Sequence, residues 1–317
     1  MPRYLVTGCA GFIGSTLTDT LLAEGSEVLG VDSFTDYYPR AAKEAALKDA
    51  RGHPSFTLLE HDLTAGSLPE SSLEGIDGIF HLAARPGVRA SWGTGFEAYV
   101  DDNILATHAV ADAAGARGIR LVFASSSSIY GDALAYPTAE DTSPSPISPY
   151  GVTKLACEHL VAAHARDSGL EYVALRYFTV YGPRQRPDMA FTRLVAALVA
   201  DREFEIYGDG RQSRDFTFVG DAVSATLAAM RGSSTGAIYN VGGGSEAALR
   251  DVVSLVEELA GRPLKVRYGE RAAGDVRRTL ADTTRIRSEL AWEPQTDLRS
   301  GLAAQLDAAG ALAPSAG

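Results

Sequence analysis

Cysteine, lysine and long apolar runs are all scarce in this chain. Only Cys9 and Cys157 occur among 317 residues, and their spacing suggests no zinc site. No metal is therefore expected, and nothing calls for an oxidising compartment. Cys9 reads as a small space-filling residue. Lysine is limited to Lys43, Lys48, Lys154 and Lys265, and acids outnumber bases for a net charge of −11. That balance argues against a nucleic-acid partner, although a local arginine cluster can still hold an anion. No apolar run reaches membrane-spanning length, and the first apolar run begins almost at Met1, leaving no room for a signal peptide. A cytoplasmic protein with no membrane partner is expected. The 45% hydrophobic and 22% charged fractions are those of a soluble globular protein. The length allows one large or two modest domains.

What is present starts at the N-terminus. The run Tyr4-Leu5-Val6-Thr7 breaks into Gly8-Cys9-Ala10-Gly11-Phe12-Ile13-Gly14, and eighteen residues after Gly14 a second apolar run ends in Asp32. Strand, glycine turn, helix and strand-end acid together describe a dinucleotide pocket. Gly8, Gly11 and Gly14 permit a tight turn and close backbone approach, so a pyrophosphate can sit on the helix N-terminus beside Phe12 and Ile13. Asp32 can accept hydrogen bonds from both adenosine ribose hydroxyls and would repel a 2′-phosphate. Ser33 and Phe34 follow, with no adjacent arginine. NAD is favoured over NADP.

The first half alternates strand-like and helix-period segments, which predicts an α/β fold, a Rossmann-type doubly wound parallel sheet. Strands are expected at Tyr4–Thr7, Glu27–Val31, Phe56–Leu59, Gly78–Leu82, Leu121–Ser125 and Tyr172–Arg176. Helices are expected at Ile13–Glu24, Glu97–Ala114 and Tyr150–Asp167, with Ser148 capping the last and Pro149 at its first position. After Tyr181-Gly182-Pro183 the pattern becomes that of a smaller mixed α/β lobe, with segments at Phe191–Ala200, Glu203–Tyr207 and Leu249–Leu259. The division predicted is residues 1–182 for the dinucleotide, with a return segment near 216–243, and residues 183–317 mainly for substrate. The alanine-rich tail from Ala303 is expected to fray.

Tyr150 and Lys154 lie four apart on a predicted helix, so both project from one face. A lysine ammonium beside a phenol, with the positive ring of an oxidised nicotinamide, favours the phenolate and suits Tyr150 as a general base. The pair follows the strand Leu121-Val122-Phe123-Ala124, which runs into Ser125-Ser126-Ser127-Ser128-Ile129-Tyr130-Gly131. Serines at the carboxyl end of a parallel strand face the crevice where ligands sit, and one hydroxyl there can bridge a phenol and a sugar hydroxyl.

With these pieces in place, the chain resembles an extended short-chain dehydrogenase/reductase of the nucleotide-sugar epimerase/dehydratase family over nearly its whole length. The matching pieces are Gly8–Gly14, Asp32, Asp62-Leu63, His81-Leu82-Ala83-Ala84, Asn103, the serine loop, Tyr150 with Lys154, and Arg176-Tyr177-Phe178-Thr179-Val180-Tyr181-Gly182-Pro183. The resemblance implies a catalytic Ser126 with Tyr150 and Lys154. It places Asp62 and Leu63 at the adenine and Leu82, Ala83 and Ala84 along the cofactor, joined by Ser33, Lys43, Asn103, Tyr177 and Val180. It also implies a homodimer paired through the helices near 97–114 and 150–167.

Within the family, 4,6-dehydratases carry Asp-Glu after the catalytic hydroxyl, and UDP-glucuronate decarboxylases carry a glutamate at the second of those positions. Here Ser127 and Ser128 stand instead. Oxidation and re-reduction at one carbon remain, which is epimerisation. The segment Tyr181–Ala190, the run Gly87-Val88-Arg89-Ala90-Ser91 and Thr179 resemble the UDP-glucuronate 4-epimerases. Arg186 could hold a sugar carboxylate with its planar fork, or could be a surface arginine. Tyr207-Gly208-Asp209-Gly210-Arg211-Gln212-Ser213-Arg214 resembles the family's diphosphate loop, and Arg271 to Asp275 resembles the segment over the uridine. Substrate contacts are thus expected from Pro86, Gly87, Arg89, Ser127, Ser128, Thr179, Arg186, Met189, Tyr207, Arg211, Gln212, Arg214, Arg271 and Asp275. The expected activity is NAD-dependent conversion of UDP-glucuronate to UDP-galacturonate through a 4-keto sugar. A UDP-glucose/UDP-galactose 4-epimerase is the nearest alternative. A UDP-glucuronate decarboxylase and an idle NAD sensor stand further off.

Overall fold

A computed structural model describes residues 1–270 and 274–312. Seven parallel strands form the main sheet: β1 (Arg3–Thr7), β2 (Glu27–Asp32), β3 (Phe56–Glu60), β4 (Gly78–His81), β5 (Arg120–Ser126), β6 (Tyr172–Tyr177) and β10 (Ala237–Val241). Their order is β10-β6-β5-β4-β1-β2-β3. The chain leaves β1 to one side and returns at β4 on the other, so a crevice opens between them at the strands' carboxyl ends. Every strand expected from the sequence forms, within a residue or two of its expected ends.

Successive side chains of a strand point to opposite faces, and both faces are buried here. Val6 and Val122 enter a core with helices Phe12–Ala23 and Val219–Arg231, while Leu5, Leu121 and Phe123 enter another with helices Ala106–Arg117 and Pro149–Ser168. Near-continuous apolar strands are what a doubly covered parallel sheet requires. Ser148 caps the 149–168 helix, its Oγ accepting from Gly151 N at 3.1 Å, with Pro149 in the first turn.

The smaller lobe holds β7 (Thr179–Tyr181), β8 (Phe204–Tyr207), β9 (Ser213–Phe218), β11 (Glu246–Ala248) and β12 (Val266–Gly269), arranged as β11-β9-β7 and β12-β8. Its core gathers Tyr181, Phe191, Leu194, Phe216, Val252 and Val256. The chain returns to the main sheet through β10, and helix Thr284–Leu290 also packs there, with Ile286 and Trp292 in the large core.

Two expectations need correction. The segment expected as one helix over Glu97–Ala114 is three pieces: Phe96–Tyr99, a π-helical Val100–Leu105, and Ala106–Arg117. The wider turn carries Asn103 inward, where Oδ1 accepts from Arg85 N at 2.7 Å and Nδ2 donates to Arg85 O and Thr153 Oγ1 at 3.1 and 3.0 Å. The tail expected to fray from Ala303 is ordered at its start, and its residues 313–317 lie outside the described residues. It continues helix Leu298–Ala308, capped by Asp297, with Leu302 and Leu306 fully buried in the small-lobe core. Leucines one turn apart dock the helix despite the alanines between them.

Candidate active site

The crevice is a cavity of about 400 Å³ running from the glycine turn to the serine loop. At one end, Gly8 takes φ +70°, and a Cβ there would stand 2.8 Å from Ala83 N; a Cβ on Gly14 would meet Gly8 O at 2.1 Å. The turn is closed by Gly8 N donating to Val31 O at 2.7 Å. No side chain caps the start of helix Phe12–Ala23, which leaves its first N–H groups for an anion. Gly11, Phe12 and Ile13 line the cavity with them.

Asp32 ends β2. Its Oδ2 accepts from Ala10 N at 3.1 Å and its Oδ1 from Phe34 N at 2.8 Å, so the carboxylate faces the crevice in one orientation. Lys43 Nζ lies 3.7 Å from Oδ1, and both side chains are under 10% exposed. Burial pulls the Lys43 ammonium below its ordinary pKa, and the charge of Asp32 opposes that pull. Ser33, Asp62, Leu63, Leu82, Ala83 and Ala84 line the same end. An uncapped helix start, a turn that tolerates no Cβ and an oriented carboxylate fit a dinucleotide.

At the other end stand Ser126, Ser127, Ser128, Tyr150, Lys154, Tyr177, Thr179, Val180, Arg186 and Met189, with Pro86 and Gly87 between. Lys154 is 4% exposed and donates from Nζ to Ala124 O at 2.9 Å. Tyr150 N donates to Ser91 Oγ at 3.1 Å, and its ring meets Tyr99 edge-on at 6.2 Å. Ser126 Oγ accepts from Ser128 N at 3.1 Å, which folds the serine turn back on itself. Behind Lys154, His81 is fully buried between Thr7 Oγ1 (2.7 Å) and Thr107 Oγ1 (3.1 Å). Burial, then the nearby Lys154 charge, pushes its ring pKa down to about 3, so it stays neutral. The fold brings a phenol, a hydroxyl and an ammonium into the same cavity as a dinucleotide cradle. That is the equipment for moving a hydride and a proton to and from a secondary alcohol.

Other expected residues lie elsewhere or are already engaged. Asn103 is not at the cavity wall; its amide is spent on Arg85 and Thr153, so it holds the loop that the cofactor would meet. Arg186 is already engaged, with Nε and Nη2 on the two oxygens of Asp188 at 3.0 and 3.1 Å. Arg89, Tyr207, Arg214 and Asp275 gather outside the cavity where the lobes meet. Arg89 stacks over Tyr207 at 4.2 Å, and Arg214 Nη2 meets Asp275 at 2.6 Å. Gln212 donates to Tyr207 O at 2.8 Å, and Arg211 is exposed. Arg271 lies outside the described residues. Sequence reasoning missed Thr35, Tyr37, Tyr38, Arg85, Val88 and Phe178, which also line the cavity. The tyrosine pair between Asp32 and the next helix was the available signal.

Fold and site together define a Rossmann-type short-chain dehydrogenase/reductase. The chain belongs to the NAD dependent epimerase/dehydratase family, whose profile matches residues 4–242. It is 43% identical over 303 residues to YtcB of Bacillus subtilis (strain 168), named an uncharacterized UDP-glucose epimerase, covering 95% of each chain. The UDP-glucuronic acid 4-epimerase from Bacillus cereus, solved with UDP-glucuronic acid and NAD, superposes with a TM-score of 0.93 at 38% identity, covering 96% of this chain and 98% of that one. MoeE5, solved with UDP-glucuronic acid and NAD, gives a TM-score of 0.88 at 43% identity over 97% and 99% of the two chains. Among the described residues, no helix is long and apolar enough to cross a membrane.

Proposed function

We propose that this protein is an NAD-dependent UDP-sugar 4-epimerase whose principal reaction interconverts UDP-glucuronate and UDP-galacturonate. One observation carries the reading: Tyr150, Lys154, Ser126 and Arg186 line the same cavity as the Gly8–Gly14 turn and Asp32. The backbone of that turn, Asp32 and Lys43 would hold the dinucleotide. Bound there, NAD+ would supply the hydride acceptor and donor that oxidation and re-reduction at C4 of the sugar require.

Tyr150 takes the proton of the 4-hydroxyl, and Ser126 hydrogen-bonds the same oxygen as it becomes a carbonyl. Lys154, anchored on Ala124 O, stands one helical turn from Tyr150 and lines the same cavity as its phenol. Between the two half-reactions the 4-keto sugar turns over about its glycosyl–phosphate bond, while Arg214 and its neighbours keep the diphosphate in place. A 4-keto uronate is a β-keto acid and loses carbon dioxide readily when its carboxylate stands perpendicular to the carbonyl plane. Arg186 keeps the carboxylate out of that geometry through the guanidinium edge that Asp188 leaves open. Serines at 127 and 128, where a carboxylate would promote elimination or decarboxylation, support the same outcome.

A second reading, a UDP-glucose/UDP-galactose 4-epimerase, is favoured by the Asp188 carboxylate, which already neutralises Arg186. MoeE5 has also been solved with UDP-glucose and NAD. Incubation of the purified protein with each UDP-sugar, with products resolved, decides between them. Faster turnover of UDP-glucuronate to UDP-galacturonate is expected, and conversion of UDP-glucose alone would refute the uronate assignment. We also propose a cytoplasmic homodimer paired through the segments near 97–114 and 150–167. Leu105 and Val152, each 47% exposed on those segments, support such a pairing.

A further inference from the structure

We infer that Arg176, on β6 and outside the cavity, is a positioning residue that fixes the geometry of Ser126, Tyr150 and Lys154 through a buried polar clamp. Its guanidinium grips Glu158 of the 149–168 helix by two bonds, Nε to Oε1 at 3.0 Å and Nη2 to Oε2 at 2.8 Å. Both side chains are 5% exposed or less. Glu158 Oε1 also accepts from Ser125 Oγ, the residue before Ser126, and Arg176 faces Ser125 across the β5–β6 ladder. The third arm of Arg176, Nη1, donates to Tyr130 Oη at 2.7 Å and to Glu140 O at 3.0 Å. Tyr130 closes the serine turn and donates onward to Asn240 Oδ1 of β10 at 2.8 Å.

The spacing explains what the clamp does. Tyr150, Lys154 and Glu158 stand one turn apart on one helix face. Lys154 pins that face to Ala124 O, and Asn103 and Ser91 hold Thr153 and Tyr150 N, but none of these contacts ties the helix to β6. Glu158 adds that tie, together with one to Ser125, one residue further along β5 than Ala124, and so limits roll of the helix and holds the Tyr150 phenol at a fixed height over the cavity. Tyr130 fixes the far end of the turn that carries Ser126. A buried ion pair is weak as a source of stability, since apolar residues of similar volume often serve as well. What apolar packing lacks is direction, and displacement of a reacting group by about 1 Å costs on the order of 100-fold in rate.

The inference rests on the epimerase reading for its readout. Two variants test it: the double change Glu158→Gln with Arg176→Met, and Tyr130→Phe. Turnover, KM, NAD content and thermal midpoint are measured beside the parent with UDP-glucuronate and UDP-glucose. The expected result is a folded double variant that retains NAD, with kcat lowered about 10-fold or more and KM changed less than about two-fold, and a roughly three-fold loss of kcat for Tyr130→Phe. Parental kcat in folded, NAD-loaded variants would overturn the inference, as would a loss confined to KM. Should the double variant not fold, Tyr130→Phe, which keeps its ring, decides alone. A parent inactive on both sugars would refute the epimerase reading instead, and the two failures are therefore distinct.

Discussion

The cofactor end of the cavity presents mainly backbone: the N–H groups of an uncapped helix, a glycine turn, and one carboxylate oriented by Ala10 and Phe34. The end proposed for the sugar, with the lobe junction beside it, presents arginines that are already paired with carboxylates. Arg186 lies on Asp188, and both Arg89 and Arg214 lie on Asp275. A backbone site is formed when the fold is formed, and its cost is met in folding. A side-chain site of paired ions has to exchange or share its carboxylates for those of a ligand, which grades affinity and leaves selectivity adjustable. A cofactor regenerated on the enzyme needs the first kind of site, and a sugar that must turn over between half-reactions needs the second.

That contrast can be broken at four places. The largest effect is expected at the junction of the two ends, where Tyr150→Phe should lower turnover by about 1,000-fold or more while NAD stays bound; substantial residual activity would remove the phenol from the chemistry. Gly14→Ala comes next, because its Cβ would lie 2.1 Å from Gly8 O. Cofactor affinity should fall by about 100-fold, read as NAD content after purification, since backbone cannot move aside as a side chain does.

The third lies behind Lys154. His81 has a folded-state pKa depressed to about 3, whereas an unfolded histidine titrates near ~6.5. Between those values the unfolded chain binds a proton that the folded chain refuses, so stability is full above about pH 6.5 and is lost as pH falls. From pH 7 to 5 this single ring accounts for about 2 kcal/mol. Denaturant titrations should show a flatter pH slope in His81→Gln than in the parent, and equal slopes would refute the assignment. The smallest effect belongs to the substrate end. Arg186→Ala should raise KM for UDP-glucuronate about 10-fold and leave UDP-glucose little changed, with some decarboxylated pentose released. Equal effects on both sugars would show Arg186 serving the nucleotide or its own loop.

Legibility followed the same division. The glycine turn, Asp32, the serine strand and the Tyr150/Lys154 spacing were readable because their positions follow from local geometry: period 2 in a strand, period 3.6 in a helix, φ > 0 in a turn. The π-helical turn at Val100–Leu105 was not readable, since it answers to Arg85 and Thr153, which are distant in sequence. Nor was the docking of Leu302 and Leu306, where composition suggested a frayed tail while the small-lobe core supplied a partner. Arg176 was legible as part of a motif, but its partners Glu158, Tyr130 and Glu140 were not.

The amino-acid order alone determined the strands of the doubly wound sheet, the dinucleotide cradle and the Tyr150/Lys154 pairing on one helix face, because each is written in local spacings or in one strand–turn–helix unit. The tertiary structure decided which charges meet: Arg186 with Asp188, Arg214 with Asp275, and Glu158 with Arg176. Ion pairing depends on distance in space and on exclusion of water, and apart from the near-neighbour Arg186–Asp188 contact no spacing along the chain encodes either.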